Sequence, residues 1–429
     1  MSNPKVAIVG AGLCGSLMAI YFAQRGWHVD VFEYRKDVRG VDADAGRSIN
    51  MALSHRGIEA LKQIDMFAAV EPYMIPMKGR AVHMQDGSIS FQPYGTQKNH
   101  VIYSISRKVL NEILLTAADQ YDAIEVHFEK KCLQYDAINQ ILVFEDQQSS
   151  KISQHQYDYV FGTDGAFSKV RKALMKKDRF NYSQDYIPQG YKELCLPCSD
   201  DGNFLLEKEA LHIWPRKKFM LIALPNMDGS FTCTLFLDYD GQPGFDDLNS
   251  EDQVNTFFKR EFPDAFALIG NVSEQFFANP TGSLATIRCD PWNIDNHVLL
   301  LGDAAHAIVP FFGQGMNASF EDVQLFFQQL DQVGIDQAIV GFSKLRKKDA
   351  DAIALMALEN FVEMRDSVSD PSYLARRKIA QKLEKENPDS FQSRYTMVSF
   401  TSIPYAEVYQ RGVENQKIID TYILQNKAL

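Results

Sequence analysis

A glycine-rich turn near the start of the chain restricts the fold more than any other feature of the sequence. The apolar strand Lys5–Val9 leads into Gly10-x-Gly12-x-x-Gly15, after which apolar residues recur at helical spacing. The first glycine permits a tight turn, the second lets a pyrophosphate approach the backbone, and the third lets the helix pack against the strand. Glu33 ends the next strand, where an acid accepts hydrogen bonds from ribose hydroxyls. The pattern predicts a βαβ dinucleotide site that suits FAD or NAD better than NADP, whose 2′-phosphate Glu33 would repel.

Charge and composition exclude several classes of protein. The formal net charge of −11 over 429 residues argues against a nucleic-acid-binding protein. The first residues lack the regions of a signal peptide, and no run approaches the roughly 20 apolar residues of a membrane span. Six scattered cysteines indicate a reducing compartment, and the C-x-x-C of Cys195 and Cys198 has no second ligand pair, so we expect no metal. We therefore expect a cytoplasmic protein without nucleic-acid or membrane partners, whose oligomeric state the sequence leaves open.

Two further motifs each follow a predicted strand. The segment 162–168 (GTDGAFS) contains Asp164, although Asp-Gly alone indicates only a turn. The segment 302–306 (GDAAH) follows the strand 297–301 and precedes 310–317 (PFFGQGMN). An Asp at a strand end can bond a ribityl hydroxyl, and the helix that begins near residue 315 can direct backbone N–H groups at a flavin. His306 could act as a base, but a His in a turn of small residues is more often structural.

The three motifs, in this order and spacing, resemble the single-component FAD-dependent aromatic hydroxylases, the p-hydroxybenzoate hydroxylase fold family. The resemblance spans about residues 5–345, and it is specific because each motif contacts a different part of one FAD in that family. It implies a tightly but non-covalently bound FAD, NADPH as a transient co-substrate, and O2. We find no second glycine motif of this kind, and the family likewise has no separate nicotinamide domain.

The periodicity of the whole chain predicts an α/β protein with a discontinuous first lobe. Strands near residues 5, 30, 160 and 300 form its Rossmann-like sheet, β-rich segments are inserted between them, and the chain is mainly helical from about residue 335. We assign an FAD-binding domain to 1–75, 104–180 and 286–345, a substrate-binding β-sheet domain to 76–103 and 181–285, and a helical C-terminal region to 346–429.

Further stretches resemble the members of this family that hydroxylate L-kynurenine. They occur at 46–53, 77–83, 92–95, 104–107, 190–194, 211–216, 309–317, 357–364 and 394–398, so the likeness covers nearly the whole chain. Eukaryotic members carry a C-terminal membrane-anchoring extension. This sequence ends at Leu429 without one, so we do not expect that placement here.

The closer resemblance implies roles for three groups of residues. The implied FAD-contacting positions are Gly10, Gly12, Leu13, Gly15, Glu33, Arg35, Ala52, Arg107, Cys132, Asp164, Gly302, Asp303, Gly315, Met316 and Asn317. The implied substrate-binding positions are Arg80, Tyr94, Asn360, Glu363, Met364 and Tyr395, and the implied catalytic positions beside the flavin are Phe311, Gly313 and Gln314.

Elementary chemistry is consistent with this substrate. Kynurenine has an aminoaryl ketone and a zwitterionic amino-acid end, so its site needs a planar guanidinium, polar partners and an apolar slot. A helix predicted over 349–368 places Met356, Asn360, Glu363 and Met364 on one face, as in the wall of a pocket. Some bacterial members have His where this chain has Phe312, so a mechanism that needs this His is not open to it.

The expected reaction is the NADPH-dependent 3-hydroxylation of L-kynurenine through a flavin C4a-hydroperoxide, a step of tryptophan degradation that can feed NAD biosynthesis. Because the aryl amine activates the neighbouring ring carbon, no strong protein base is required. One alternative is a related FAD hydroxylase that acts on a phenol or an aryl carboxylate. Another is a non-catalytic escort protein of the same fold, which would bind no flavin.

Overall fold

The computed structural model describes residues 4–40, 50–367, 370–388 and 390–426. Residues 46–49, half of the stretch 46–53 that contributes to the closer resemblance, therefore lie outside the described residues. In chain order the strands are β1 Val6–Val9, β2 Val29–Phe32, β3 Asn50–Leu53, β4 Ile75–Met77, β5 Gly79–His83, β6 Ile89–Pro93, β7 Ile102–Ser106, β8 Ile124–His127, β9 Lys130–Asp136, β10 Ile141–Asp146, β11 Ile152–Gln156, β12 Tyr159–Gly162, β13 Asn181–Leu196, β14 Ala210–Arg216, β15 Phe219–Pro225, β16 Phe231–Asp238, β17 Gly282–Asp290, β18 Asn293–Ile294 and β19 Val298–Leu300.

The helices occur between these strands and in the C-terminal quarter of the chain. They are α1 Leu13–Ala23, α2 His55–Gln63, α3 Phe67–Val70, α4 Arg107–Ala118, α5 Lys169–Leu174, α6 Glu251–Glu261, α7 Pro263–Ile269, α8 Val272–Ala278, α9 Asp303–His306, α10 Gly315–Val333, α11 Ile335–Val362, α12 Pro371–Glu386, α13 Arg394–Phe400 and α14 Tyr405–Asn426. A 3-10 turn covers Pro310–Phe312, and a π-helical turn covers Glu363–Ser367.

The first sheet has β1 near its centre. Its strand order is β18-β19-β12-β1-β2-β8, and β19, β12, β1, β2 and β8 run parallel. All four residues of β1 are buried, as expected for a parallel sheet covered on both faces. Strands near residues 5, 30, 160 and 300 are neighbours, so the predicted discontinuous α/β lobe is confirmed. Parallel strands end at one edge of a sheet, and the three motifs follow β1, β12 and β19 there.

The second sheet has the order β17-β13-β16-β15-β14-β5-β6, and α6, α7 and α8 cover one of its faces. Phe257 and Phe258 pack into the core between these helices and the sheet. Asp264 of α7 accepts a hydrogen bond from Trp214 Nε1 at 2.8 Å and lies 2.8 Å from His83 Nδ1. The sequence pattern did not predict these three helices, because helices of 7 to 11 residues give too few turns for a clear period.

The C-terminal helices close the opposite face of the second sheet, as the sequence predicted for a helical region. Ile213 and Phe236 of the sheet share a core with Met356, Phe361 and Tyr405 of these helices. The helix predicted over 349–368 is the second half of α11, but it gives way after residue 362 to the π-helical turn. No helix among the described residues is both long enough and apolar enough to cross a bilayer.

The expected domain boundaries remain proposals, and four of the five need to move. The boundary at 75/76 falls inside β4, 103/104 inside β7, 285/286 inside β17 and 345/346 inside α11. Only 180/181 coincides with the start of an element, β13. The strands that cross the expected limits are β4 and β7, which form a three-stranded sheet with β3, and β17 of the second sheet. The long helix α11 crosses the last limit. Hydrogen-bonded ladders, not composition, decide where each unit ends.

Candidate active site

The glycine-rich turn has the stereochemistry that its spacing predicts. Gly10 has φ +104°, and a Cβ built on it would lie 2.6 Å from the Thr163 carbonyl oxygen. A Cβ on Gly15 would lie 1.9 Å from the Gly10 carbonyl oxygen, so α1 packs on the turn only because this residue is glycine. Around Gly12, no described atom lies within 4 Å of a Cβ built there. Two glycines therefore allow close packing, and the middle one leaves open space before the N-terminus of α1, beside the buried Leu13.

This difference between the glycines gives a matched pair of variants. Gly15→Ala must push α1 away from β1, so we expect a stability loss of about 1–3 kcal/mol or more and little bound flavin. Gly12→Ala meets no protein atom and should leave the melting temperature of the apoprotein unchanged, while it weakens FAD binding by filling the open space. Thermal unfolding of the apoproteins and flavin content after reconstitution test this. Equal loss of stability in both variants would contradict the assignment of the open space to the ligand.

The three motifs come together at the carboxyl edge of the first sheet. The Thr163 hydroxyl donates to the Gly10 carbonyl oxygen at 2.9 Å, which joins the second motif to the first. Gly302 has φ +57°, and a Cβ on it would lie 3.3 Å from Cys14 Sγ, which joins the third motif to the first. Segments about 150 residues apart thus form one wall of a single site.

Glu33 lies where β2 ends, as predicted, and its carboxylate is held by the backbone. Its Oε2 accepts from Ala11 N–H at 3.0 Å and its Oε1 accepts from Arg35 N–H at 3.0 Å. Each oxygen keeps a lone pair that can accept from a ligand hydroxyl. The Arg35 side chain is exposed and donates to Tyr34 Oη at 2.7 Å.

Two further carboxylates face the same site. Asp303 is accessible to solvent, yet the surrounding protein desolvates it enough to raise its pKa, against the opposing charge of Arg107. Asp164 Oδ2 accepts from Lys169 N–H at 2.6 Å, whereas its buried Oδ1 has no hydrogen-bond partner in the described chain. Burial raises the pKa of the nearby Cys132 thiol to about 12, so this thiol is not a nucleophile. An accessible acid at the end of one strand and an orphaned acceptor at the end of another fit a ligand rich in hydroxyl groups.

The loop from Pro310 to Gly315 connects the first sheet to α10. Gly313 adopts φ +66°, and a Cβ there would lie 3.1 Å from Ala52 Cβ. Asn317 Nδ2 donates to Gly313 O at 2.9 Å and to Ala52 O at 2.8 Å, and its Oδ1 accepts from Ser54 N–H at 2.9 Å. The Asn317 amide therefore holds the loop and is not free for a ligand, whereas Gly315 and Met316 remain partly exposed at the N-terminus of α10.

Aromatic rings form a slot beside this loop. Tyr94 stacks on Tyr395 with ring centroids 4.9 Å apart, and Phe312 stacks on the same Tyr395 at 5.6 Å. Phe311 stacks on Phe361 at 4.1 Å. The structure thus brings together two predicted substrate residues and one predicted catalytic residue, and it adds Phe312 and Phe361.

Arg80 closes one end of the slot. It is 4% exposed, its Cζ lies 5.1 Å from the centre of the Tyr395 ring, and its Nε has no hydrogen-bond partner within the described ranges. Its Nη1 lies 3.7 Å from Glu363 Oε1, too far for a strong hydrogen bond. Burial lowers the pKa of Arg80, but the surrounding Tyr395, Tyr373 and Glu363 outweigh it and raise the pKa. A buried guanidinium with an unpartnered Nε among aromatic rings has the chemistry to pair with a carboxylate.

The end of α11 lines the same slot. Asn360 Nδ2 donates to Phe311 O at 2.7 Å and contacts Met364 Sδ at 3.3 Å, so this predicted substrate residue also anchors the loop. Met364 is buried, as predicted for the shared face. Glu363 keeps 40% of its side chain exposed because the π-helical turn begins there and changes the register of the helix.

Two residues of α12 also lie at this site, although the sequence did not predict them as site residues. The Tyr373 hydroxyl donates to Glu363 Oε1. Arg377 Nη2 donates to Pro93 O at 2.9 Å and its Nη1 donates to Gln92 Oε1, which joins α12 to the edge strand β6. Desolvation, followed by the charge of Arg80, lowers the pKa of Arg377. Nothing local distinguishes Tyr373 and Arg377 from the exposed residues of an amphipathic helix, so only the packing identifies them.

Comparisons with known proteins identify the family of the chain. A family model described as an FAD binding domain matches residues 3–340. The chain is 46% identical to the kynurenine 3-monooxygenase of Myxococcus xanthus, over 96% of this chain and 89% of that protein. It is 40% identical to the kynurenine 3-monooxygenase of Dictyostelium discoideum, over 99% of this chain and 94% of that protein. Among solved structures, the tetrameric form of 2-methyl-3-hydroxypyridine-5-carboxylic acid oxygenase aligns over 87% of this chain and 96% of that chain, with a TM-score of 0.70 at 18% identity, and shares its fold.

The family model covers well over half of the chain, and the curated relatives match it along nearly its whole length. The resemblance seen in the three motifs is thereby confirmed. The chain belongs to the kynurenine 3-monooxygenase family of FAD-dependent aromatic hydroxylases.

Proposed function

We propose that this chain hydroxylates L-kynurenine at ring carbon 3 with NADPH and O2, the activity for which its relatives are named. The observation that carries the proposal is the position of Arg80, a buried guanidinium with an unpartnered Nε at the end of an aromatic slot. The slot ends at the loop that contains Phe311 and Gly313. A zwitterionic aryl ketone fits this arrangement, because one end of it is anionic and the other is flat and apolar.

The residues around Arg80 complete the recognition of the amino-acid end. Arg80 pairs with the substrate carboxylate, and Glu363 is the anion available to the substrate ammonium group. Burial raises the pKa of Tyr94 and of Tyr395, so both phenols stay neutral and act as hydrogen-bond donors. Asn360 and Met364 complete the wall. The pairing of a cation and an anion at one end of the slot favours an amino acid over the alternative of a phenol or a simple aryl carboxylate.

The residues that would hold FAD lie along the edge of the first sheet. Gly12 and the N-terminus of α1 would hold the pyrophosphate, and Glu33 would accept hydrogen bonds from the ribose. Asp303 would accept from the ribityl chain, and the N–H groups at the N-terminus of α10, beginning at Gly315, would stabilise the pyrimidine end of the flavin. Arg107 lies close to Asp303, and Cys132 lies close to Asp164.

The bound FAD supplies the oxygen-transfer chemistry, and the protein supplies orientation and a dry slot. Phe311 and Phe312 exclude water from the reacting face, which limits the wasteful release of peroxide. The aryl amine of the substrate activates the ortho carbon, so the protein needs only to hold that carbon in place. Neutral tyrosines and apolar rings suit this task.

We also propose the domain division given above, with its limits moved to the ends of β4, β7, β17 and α11.

We further propose that the protein is cytoplasmic. This location is supported by six free cysteines and by the net charge of −11, which disfavours anionic membrane surfaces. Recovery in a membrane pellet after salt washing would contradict it.

The deciding experiment measures NADPH oxidation with and without L-kynurenine, together with the mass of the product. We expect a yellow protein whose flavin is released by acid precipitation, and a product that gains one oxygen only when kynurenine is present. An aryl carboxylate without an amino-acid end, such as p-hydroxybenzoate, is the control. Equal stimulation and hydroxylation with the control compound would overturn the assignment of the substrate.

A further inference from the structure

Gln314 is a polar residue that is buried in the loop beside the flavin site. It is 2% exposed, and both ends of its amide are used within the protein. Its Oε1 accepts from the Tyr405 hydroxyl at 2.9 Å, and its Nε2 donates to Ser54 Oγ at 3.3 Å. A side chain that is satisfied in this way does not face a substrate, so its role lies in fixing the loop.

Three side chains from three different helices anchor the loop. Asn360 of α11 donates to the Phe311 carbonyl oxygen, and Asn317 of α10 donates to the Gly313 carbonyl oxygen. The third anchor is Tyr405, the first residue of α14, which holds Gln314. Tyr405 lies 91 residues after Gln314 in the sequence and belongs to none of the motifs that resemble the FAD site.

The ring and the hydroxyl of Tyr405 contact different residues. The ring is fully buried and stacks against Arg56, whose Cζ lies 3.9 Å from the ring centroid. Phenylalanine at this position keeps that contact and removes only the hydrogen bond to Gln314. The buried Gln314 Oε1 would then lack its donor, and the amide would rotate to find another. Gln314 directly precedes Gly315 and Met316, so this rotation shifts the N–H groups at the N-terminus of α10.

We propose that Tyr405 is a positioning residue for the flavin, acting through Gln314 on the loop from Pro310 to Gly315. The inference rests on the FAD site proposed above, and it makes the first turn of the C-terminal helix α14 part of the apparatus that orients the cofactor. In the absence of the hydroxyl the loop relaxes, and binding of FAD has to restore its position. FAD affinity and the environment of the bound flavin therefore depend on a group that touches neither FAD nor substrate.

Tyr405→Phe tests the proposal, with Tyr409→Phe as the matched control. Tyr409 lies four residues later on the same helix, and its hydroxyl donates to Glu359 at 3.1 Å on the surface. We expect Tyr405→Phe to weaken the binding of FAD to the apoprotein by roughly 5- to 30-fold, the equivalent of one buried acceptor without its donor. The visible circular dichroism of the bound flavin should change, and more peroxide should form per NADPH oxidised. Tyr409→Phe should match the wild type in all three measurements.

The outcomes distinguish a failure of the positioning role of Tyr405 from a failure of the proposed hydroxylation. FAD affinity and flavin dichroism need no kynurenine, so they report on the loop even if the proposed hydroxylation fails. Wild-type affinity, dichroism and peroxide yield in Tyr405→Phe would overturn the positioning role. If Tyr405→Phe does not fold, Gln314→Met removes the same hydrogen bond from the other side. Unchanged FAD affinity and dichroism in Gln314→Met would then overturn the proposal.

Discussion

Replacing Arg80 with methionine should weaken L-kynurenine binding by roughly 30- to 1000-fold, or about 2–4 kcal/mol, because the desolvated carboxylate loses its charged partner. Methionine keeps much of the volume of Arg80 beside the stacked Tyr94 and Tyr395 rings, so the slot should not collapse. FAD content should stay normal, because Arg80 belongs to the second sheet and lies outside the three flavin motifs. Flavin fluorescence titrated with kynurenine measures the binding directly.

Kynurenamine, which lacks the carboxylate, separates a specific contact from general damage at Arg80. It should be a poor ligand of the wild type and should lose little more in Arg80→Met. If the variant weakens kynurenine and kynurenamine to the same extent, or affects neither, Arg80 does not bind the carboxylate.

Replacing Arg346 with methionine should be the most damaging change outside the site, with a loss of about 3–5 kcal/mol of stability. Arg346 is buried, and its guanidinium contacts Glu321 at 2.9 Å, Asp322 at 3.0 Å and Asp349 at 3.5 Å. Among the described residues, the substitution leaves Arg56 beside Glu321 and His306 beside Asp322 as the remaining cationic partners of these interior carboxylates. The change in free energy of unfolding is measured by urea titration of the holoprotein.

Arg376→Met is the control for Arg346, because it also removes an arginine that is bonded to an aspartate. Arg376 pairs with Asp420 at 2.7 Å, but 36% of the Arg376 side chain and 55% of the Asp420 side chain are exposed. Exposed pairs contribute about 0–1 kcal/mol, so this variant should be close to the wild type. Similar losses in the two variants would show that the buried network is not what stabilises the junction between α10 and α11.

Asp322 of the buried network also bonds to two residues of the third motif. His306 Nε2 lies 2.5 Å from Asp322 Oδ2, and the same carboxylate oxygen accepts from Gly302 N–H at 3.3 Å. Burial lowers the pKa of His306, but Asp322 outweighs burial and raises it. His306 therefore holds the strand-end turn that contains Asp303, in agreement with the structural interpretation of this histidine.

Local features of the sequence determined the first sheet and the position of the cofactor site. The spacing of Gly10, Gly12 and Gly15 depends on backbone contacts within one turn, and Glu33 and Asp303 follow apolar runs that end as strands. Such signals lie within a few residues of one another, so periodicity and turn stereochemistry are enough to predict them. The resemblance to the family predicted, position by position, that Arg80, Tyr94 and Tyr395 bind the substrate.

Only the tertiary structure decided how these residues are used. Asn317, Asn360 and Gln314 have amides that are consumed in holding the loop, and their sequence neighbours give no sign of it. Tyr373, Arg377 and Tyr405 reach the site from helices whose surface pattern is ordinary, and the limits of the two sheet units depend on strand pairing across more than 100 residues. These contacts form because distant segments bury their apolar faces together, and a hydrogen-bond partner that is chosen by packing leaves no local pattern in the chain.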